Sequence, residues 1–188
     1  MPLKDCDRLT GPGIPPTLWY QSLSAAGLHC PEAHGAARYW LTVEGSFTRA
    51  LQHICREHFQ VDVVREGFAA PAPEEARRLG LPARQLAWIR EVRLCGDGQP
   101  WVLARTVIPQ SCLRGQGRRL RNLGNKPLGA YLFSSSEWQR GPLETGLCKS
   151  RDASAPRLAR RSLFYRSGCA LMVGEYLLPR LYQSTNRG

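Results

Sequence analysis

Four charged residues stand in rows of apolar ones, and they are the places where this chain could do chemistry. In residues 85–95 (QLAWIREVRLC), Leu86, Trp88, Val92 and Leu94 fall on one face of an extended strand, with Arg90 in the middle of that face. In residues 170–178, Leu171, Val173 and Leu177 share a face with Glu175. In residues 101–109, Trp101, Leu103 and Val107 share one with Arg105, and in residues 59–68, Val61 and Val63 share one with Arg65. An arginine buried among apolar side chains costs several kcal/mol unless an anion meets it. Three accounts fit the pattern: the charges pair with one another, for example Glu175 with Arg90 or Arg105; some of these faces meet solvent; or the strands surround a pocket for a small anion. Arginine suits a pocket because its planar fork gives a carboxylate two parallel hydrogen bonds. An excess of cations over one acid fits a dianionic ligand, with the glutamate left to meet a hydroxyl or to help move a proton.

Other chemistries find less support. Gly115-Gln116-Gly117 lacks the rest of a dinucleotide fingerprint, and no GxSxG elbow surrounds Ser134-Ser135-Ser136. His29, His34, His53 and His58 form no metal constellation; His53 and His58, five apart, fall off a common helix face. The seven cysteines (Cys6, Cys30, Cys55, Cys95, Cys112, Cys148, Cys169) are odd in number and contain no CxxC pair, so they read as free thiols in a reducing compartment rather than zinc ligands.

The elements that must position these charges follow from the patterning. Ser46 reads as the N-cap of a helix with Phe47, Ala50, Leu51 and Ile54 on its apolar side. Residues 59–68, 85–95 and 101–109 read as strands, the last two joined as a hairpin through Gly96-Asp97-Gly98. Residues 71–80 read as a helix-prone connector, 111–123 as a helix broken by Gly124–Pro127, and 137–147 as a strand. A second hairpin joins 162–166 to 170–178 across Ser167-Gly168. Residues 1–35, rich in Pro, Gly and Ala, read as a loosely packed arm with one short helix near 17–24, and the polar tail over 180–188 reads as frayed. The sum is an α+β fold: a single antiparallel sheet of about six strands with helices on one side.

The chain has 188 residues, enough for one domain with a full core. Its 43% hydrophobic and 22% charged content is that of a folded protein. No apolar run approaches the roughly 20 residues of a membrane helix, and residues 1–5 have no signal-peptide core, so the expectation is the cytoplasm. Lys and Arg outnumber Asp and Glu by 26 to 15, a net charge of +11 that attracts anions. The arginines are dispersed, however, and no helix-turn-helix, RNP-type or zinc-finger signature accompanies them, so nucleic acid is not the expected partner.

As a set, VVREGF (63–68), WIREVRLCGDGQPWVLARTVIP (88–109), LGNKPLGAYLFSSS (123–136), RRS (160–162) and GEYLLP (174–179) resemble the bacterial chorismate lyase family. The resemblance runs over residues 38–180 in order and with similar spacing. It implies elimination of the enolpyruvyl side chain of chorismate to give 4-hydroxybenzoate and pyruvate, the first committed step towards the ubiquinone ring, with no metal or organic cofactor. It implies an internal ligand cavity closed by helical flaps, and a monomer. By motif, Arg90 of WIRE holds the ring carboxylate, Leu128 of KPLG lends its backbone N–H to the same carboxylate, and Glu175 of GEYLLP meets the ring hydroxyl. Phe47 of EGSF stands where the family has a methionine lining the pocket, so the pocket or flap shape differs there. Arg105 of ARTVIP is expected as a second anion contact, on the strength of its row rather than of the family. The rival is a small-anion sensor without chemistry, since effector-binding domains of some transcription regulators resemble this fold. Those domains usually follow a winged helix, for which residues 1–35 are too short and too rich in Pro and Gly.

Overall fold

The expected central hairpin forms, and the sheet is built outward from it. In the computed structural model, which describes residues 13–185, β3 (Ala87–Gly96) turns at Asp97 and Gly98 into β4 (Gln99–Pro109). Both turn residues have positive φ, 51° and 74°, as a two-residue type I′ turn requires. The Asp97 carboxylate accepts the backbone N–H of Arg56 (3.0 Å) and Glu57 (2.8 Å), which ties the turn to the end of helix α3 (Phe47–Ile54). The N-cap of α3 is Ser46, whose Oγ accepts the Arg49 N–H at 3.3 Å.

A second hairpin, β7 (Leu158–Arg166) and β8 (Cys169–Leu177), pairs with β4 through β8. Strand β2 (Phe59–Ala69) pairs with β3, β6 (Glu144–Cys148) with β7, and β1 (Thr17–Tyr20) closes the edge beyond β6. The two-residue β5 (Gln139–Arg140) also pairs with β7. The order is β1-β6-β7-β8-β4-β3-β2, with every pairing antiparallel.

The sheet therefore has eight strands rather than about six. The extra ones are short and lie where the patterning predicts a helix or a single longer strand. Residues 17–20 (TLWY) are a strand, as their β-branched and aromatic composition favours, and only α1 (Leu23–Gly27) is helical nearby. Residues 137–147 split into β5 and β6 around Gly141-Pro142, because proline has no N–H to give a ladder. Residues 111–123 form two 3-10 turns, Gln110–Leu113 and Gly115–Arg121, instead of one helix; Gly115, which opens the second, has φ 58°.

One face of the sheet carries α2 (Ala36–Thr42), α3 and α6 (Pro179–Thr185) over one end, where Trp40, Leu51, Val102, Leu177 and Leu181 are fully buried. Helix α5 (Leu128–Ser134) and the 3-10 turns cover the other end of the same face, around Leu120, Leu132 and Phe164. The helices are not confined to that side. Helix α4 (Pro73–Arg78) and the leucines Leu79 and Leu81 behind it cover the opposite face, against Ile89, Val107 and Leu163. The frayed tail is also corrected: residues 179–185 are α6, Leu181 is inaccessible to solvent, and Trp40 Nε1 donates to Thr185 Oγ1 at 2.9 Å. Cys6 and the first part of the N-terminal arm lie outside the described residues. The other six cysteines are thiols.

Candidate active site

A cavity lies where the two helical groups meet above the sheet. Its floor is laid by strand register. One row runs across the sheet from Glu66 on β2 through Arg90 on β3 and Thr106 on β4 to Val173 on β8 and Ser162 on β7. The next row, two residues along, runs from Val92 through Ala104 and Glu175 to Arg160. Arg90 and Glu175 thus stand on the same face, two strand spacings (~10 Å) across and about 7 Å along. The walls are Phe47 and Thr48 of α3, and Leu128, Gly129 and Leu132 of α5. A Cβ on Gly129 would sit 3.2 Å from Thr48 Oγ1 and 3.3 Å from Ser46 Oγ, so the absence of a side chain there lets the two helices close over the floor.

Arg90 and Glu175 are not paired with each other. Arg90, 2% exposed, donates from Nη1 to Glu66 Oε2 (2.6 Å) and from Nη2 to the carbonyls of Gly124 (2.6 Å) and Lys126 (3.4 Å). A guanidinium has five N–H donors, so these contacts fix its plane and leave capacity facing the cavity. Glu175 accepts from Arg160 Nε at 2.6 Å. Arg160, 1% exposed, spends Nη1 on the carbonyls of Trp40 (3.2 Å) and Val43 (2.8 Å), with its guanidinium 4.2 Å above the Phe47 ring. Buried ion pairs and a cavity therefore coexist: each charged end of the cavity is held by a neighbour of opposite sign.

Phe47 lines the cavity and also forms the π-face beneath Arg160. Leu128 is the first residue of α5, so its N–H is among those with no intrahelical acceptor. These two, with Arg90 and Glu175, are brought together as the motifs implied. Arg105 is not. It lies on the opposite face, where Nε and Nη2 donate to the two oxygens of Glu75 on α4 (2.7 and 2.8 Å) and Nη1 to Glu91 (2.5 Å). The physical reason is that β4 is central and covered on both sides, so its residues are apolar on both faces and alternation does not tell inside from outside. Arg65 also leaves the cavity face. A bulge between Val63 and Arg65 shifts the phase of β2, sending Arg65 outward to Glu91 (3.2 Å) and Glu66 inward to Arg90.

Sequence reasoning missed three participants. Glu66 was hidden by that bulge. Arg160 stands in the RRS segment, where its alternation with Ser162 and Phe164 is the signal that places it on the cavity face. Arg140 lines the cavity from β5, a strand too short to carry a pattern; it donates to Ser162 Oγ (3.1 Å) and to the Gly45 carbonyl (3.3 Å). Burial and the neighbouring charge of Arg160 hold its pKa below the ordinary arginine value. Among the described residues no group of three His, Cys, Asp or Glu side chains converges as metal ligands would, and no helix is long and apolar enough to cross a membrane. A floor with an arginine at one end and an arginine-held glutamate at the other can grip a flat ring that carries an anion and a hydroxyl at opposite ends.

The sequence profile of a family described as chorismate lyase matches residues 19–187. A probable chorismate pyruvate-lyase of Marinobacter nauticus is 77% identical over 188 residues, the whole of both chains. The chorismate pyruvate-lyase of Pectobacterium atrosepticum is 39% identical over 140 residues, covering 74% of this chain and 75% of that one. Among solved structures, the effector domain of PhnF from Mycobacterium smegmatis superposes with a TM-score of 0.51 at 19% identity, over 72% of this chain and 90% of that one. That last likeness concerns the fold alone.

Proposed function

Because the chain belongs to the chorismate lyase family, we propose that the cavity between α3, α5 and the sheet removes pyruvate from chorismate and leaves 4-hydroxybenzoate. The chain is a carbon–oxygen lyase, and the observation that carries this is the full-length relative at 77% identity. The ubiquinone pathway is the family's setting for the product. A monomer is the working unit that the family resemblance implies.

In this reading the ring carboxylate docks on Arg90 and on the Leu128 N–H, and the ring hydroxyl meets Glu175. The reaction breaks the bond between the ring and the enolpyruvyl oxygen and takes a proton from the ring carbon that bears the hydroxyl. The ring becomes aromatic, and the departing enol gains a proton to become pyruvate. Aromatisation makes this strongly downhill, so the protein's part is positioning and charge control rather than nucleophilic attack. Glu175 stands at the carbon that loses its proton. Arg160 holds that carboxylate in place and aims it, and is itself held by two carbonyls and the Phe47 ring.

The cavity measures about 50 Å³, against the roughly 150 Å³ of an apolar cavity that holds a benzene ring. A six-membered ring needs more. Substrate access therefore requires α3 and α5 to part at the Gly129 contact, and the same step governs product release. Since 4-hydroxybenzoate keeps both the carboxylate and the hydroxyl, it stays bound well and leaves slowly.

The test is direct. Purified protein incubated with chorismate yields 4-hydroxybenzoate and pyruvate in equal amounts, followed by absorbance and by chromatography. Folded protein that yields neither overturns the reading. Arg90→Ala lowers kcat/KM by ~10² or more, as truncating one partner of a buried charge contact does; near-normal turnover would remove Arg90 from the ring carboxylate.

A further inference from the structure

The three arginines of the cavity differ in what they have already met. Arg90 is tied to a carboxylate and two carbonyls, and Arg160 to a carboxylate, two carbonyls and a π-face. Arg140 has only the neutral acceptors Ser162 Oγ and the Gly45 carbonyl. Among the described residues no carboxylate lies within salt-bridge distance of it. Arg140 is also half-buried, at the rim formed by the Gly45 turn and Phe133. A cation desolvated on one side, with Glu175 and Glu44 acting on it only through space and no ion pair of its own, is suited to receive an anion.

We propose that Arg140 receives the carboxylate of the enolpyruvyl side chain, and so separates the dianionic substrate from the monoanionic product. The inference rests on the docking described above. With the ring carboxylate at Arg90 and the hydroxyl at Glu175, the ether oxygen sits on the ring carbon next to the hydroxyl-bearing one. The side chain then leaves the ring at the Glu175 end. Ser162, which Arg140 grips, lies on β7, the strand beyond Glu175 as seen from Arg90, and two residues from Arg160. The second carboxylate thus reaches Arg140 without crossing the ring. After elimination, pyruvate stays on Arg140 at the rim while 4-hydroxybenzoate stays on Arg90 and Glu175, so the two products share no anchor.

The experiment compares substrate and product on one variant. Arg140→Gln keeps hydrogen-bonding capacity for Ser162 and removes the charge. It is expected to raise KM for chorismate roughly 10- to 100-fold, the range of one charge-assisted contact, to change the affinity for 4-hydroxybenzoate less than about twofold, and to abolish competitive inhibition by added pyruvate. Arg140→Lys regains part of the chorismate affinity. Equal losses of chorismate and 4-hydroxybenzoate affinity would mean that Arg140 only shapes the cavity, and unchanged KM with unchanged pyruvate inhibition would mean that it touches neither; either result overturns the proposal. Unreactive wild-type protein, by contrast, counts against the lyase reading itself, and 4-hydroxybenzoate affinity lost in Arg90→Ala but kept in Arg140→Gln separates the two sites.

Discussion

At the scale of single residues, the site's defining feature is that the two charges facing the ring, Arg90 and Glu175, are each already held by a charge of opposite sign. Arg90 is nearly inaccessible, and Glu66 across the strand pair supplies its counter-charge. That arrangement keeps the guanidinium buried and aimed before any ligand arrives, and it makes the incoming carboxylate a second anion on the same arginine. Glu66→Gln separates these roles. Removing the charge leaves the buried Arg90 without its counter-charge, which costs on the order of 2 kcal/mol of stability because Glu66 itself is partly exposed to solvent. An added 4-hydroxybenzoate carboxylate then supplies the missing charge. The variant should melt lower than wild type but gain more in Tm from saturating 4-hydroxybenzoate. Thermal unfolding with and without the ligand measures both, and a ligand-induced gain smaller than that of wild type would contradict the shared-arginine account.

At the scale of elements, what the sequence revealed depended on how regular each strand is and how many of its faces are covered. Strands β3 and β8 keep strict alternation, so Arg90 and Glu175 were legible as inward charges, and the WIRE and GEYLLP motifs placed them at opposite ends of a ring. Strand β2 is bulged at Val64, and one extra residue inverts the phase, so Glu66 was invisible and Arg65 was misplaced. Strand β4 is apolar on both sides, so Arg105 was assigned to the wrong face. The helix that meets it, α4, read only as a connector. Its two acids in the first turn meet arginines of the opposite face: Glu75 holds Arg105 and Glu74 holds Arg161. Arg161 also donates to Glu144 on β6, which takes a second bond from Arg78 of α4, both at 2.6 Å. Burial raises the Glu144 carboxyl, but the bonds from Arg161 and Arg78 outweigh it and hold the pKa below the usual value. A carboxyl lowered in the folded state contributes stability that is complete above its unfolded pKa and is lost as pH falls through the folded one. Glu144→Gln should therefore cost about 3 kcal/mol near neutrality, on the order of 10 °C in Tm. The difference from wild type should shrink as pH falls below the ordinary carboxylate range and through the lowered pKa of the wild-type carboxyl. A deficit independent of pH would show that Glu144 acts through shape rather than charge.

At the scale of the whole molecule, the net charge of +11 suits the attraction of a dianionic substrate. The dispersal of the arginines, which argued against a groove for a polymer, is no obstacle to attracting a small anion from every side. One group is placed to do more. Arg118, Arg119 and Arg121 are exposed on the second 3-10 turn, which leads into the Gly124–Lys126 loop that grips Arg90. Arg121 is itself steadied 4.8 Å over the Trp88 ring. A positive field beside the α5 side of the cavity raises the local concentration of chorismate and its rate of capture, and dissolved salt screens it, since the Debye length falls from about 30 Å at 0.01 M to about 3 Å at 1 M. Turnover at saturation does not depend on capture. Raising the salt over that range should lower kcat/KM for chorismate severalfold while kcat holds, and the double change Arg118→Glu with Arg119→Glu should lower kcat/KM at low salt and flatten the salt dependence. Initial rates at two salt concentrations on both proteins decide it. A wild-type kcat/KM indifferent to salt would mean that the surface charge plays no part in capture and that the cavity arginines act alone.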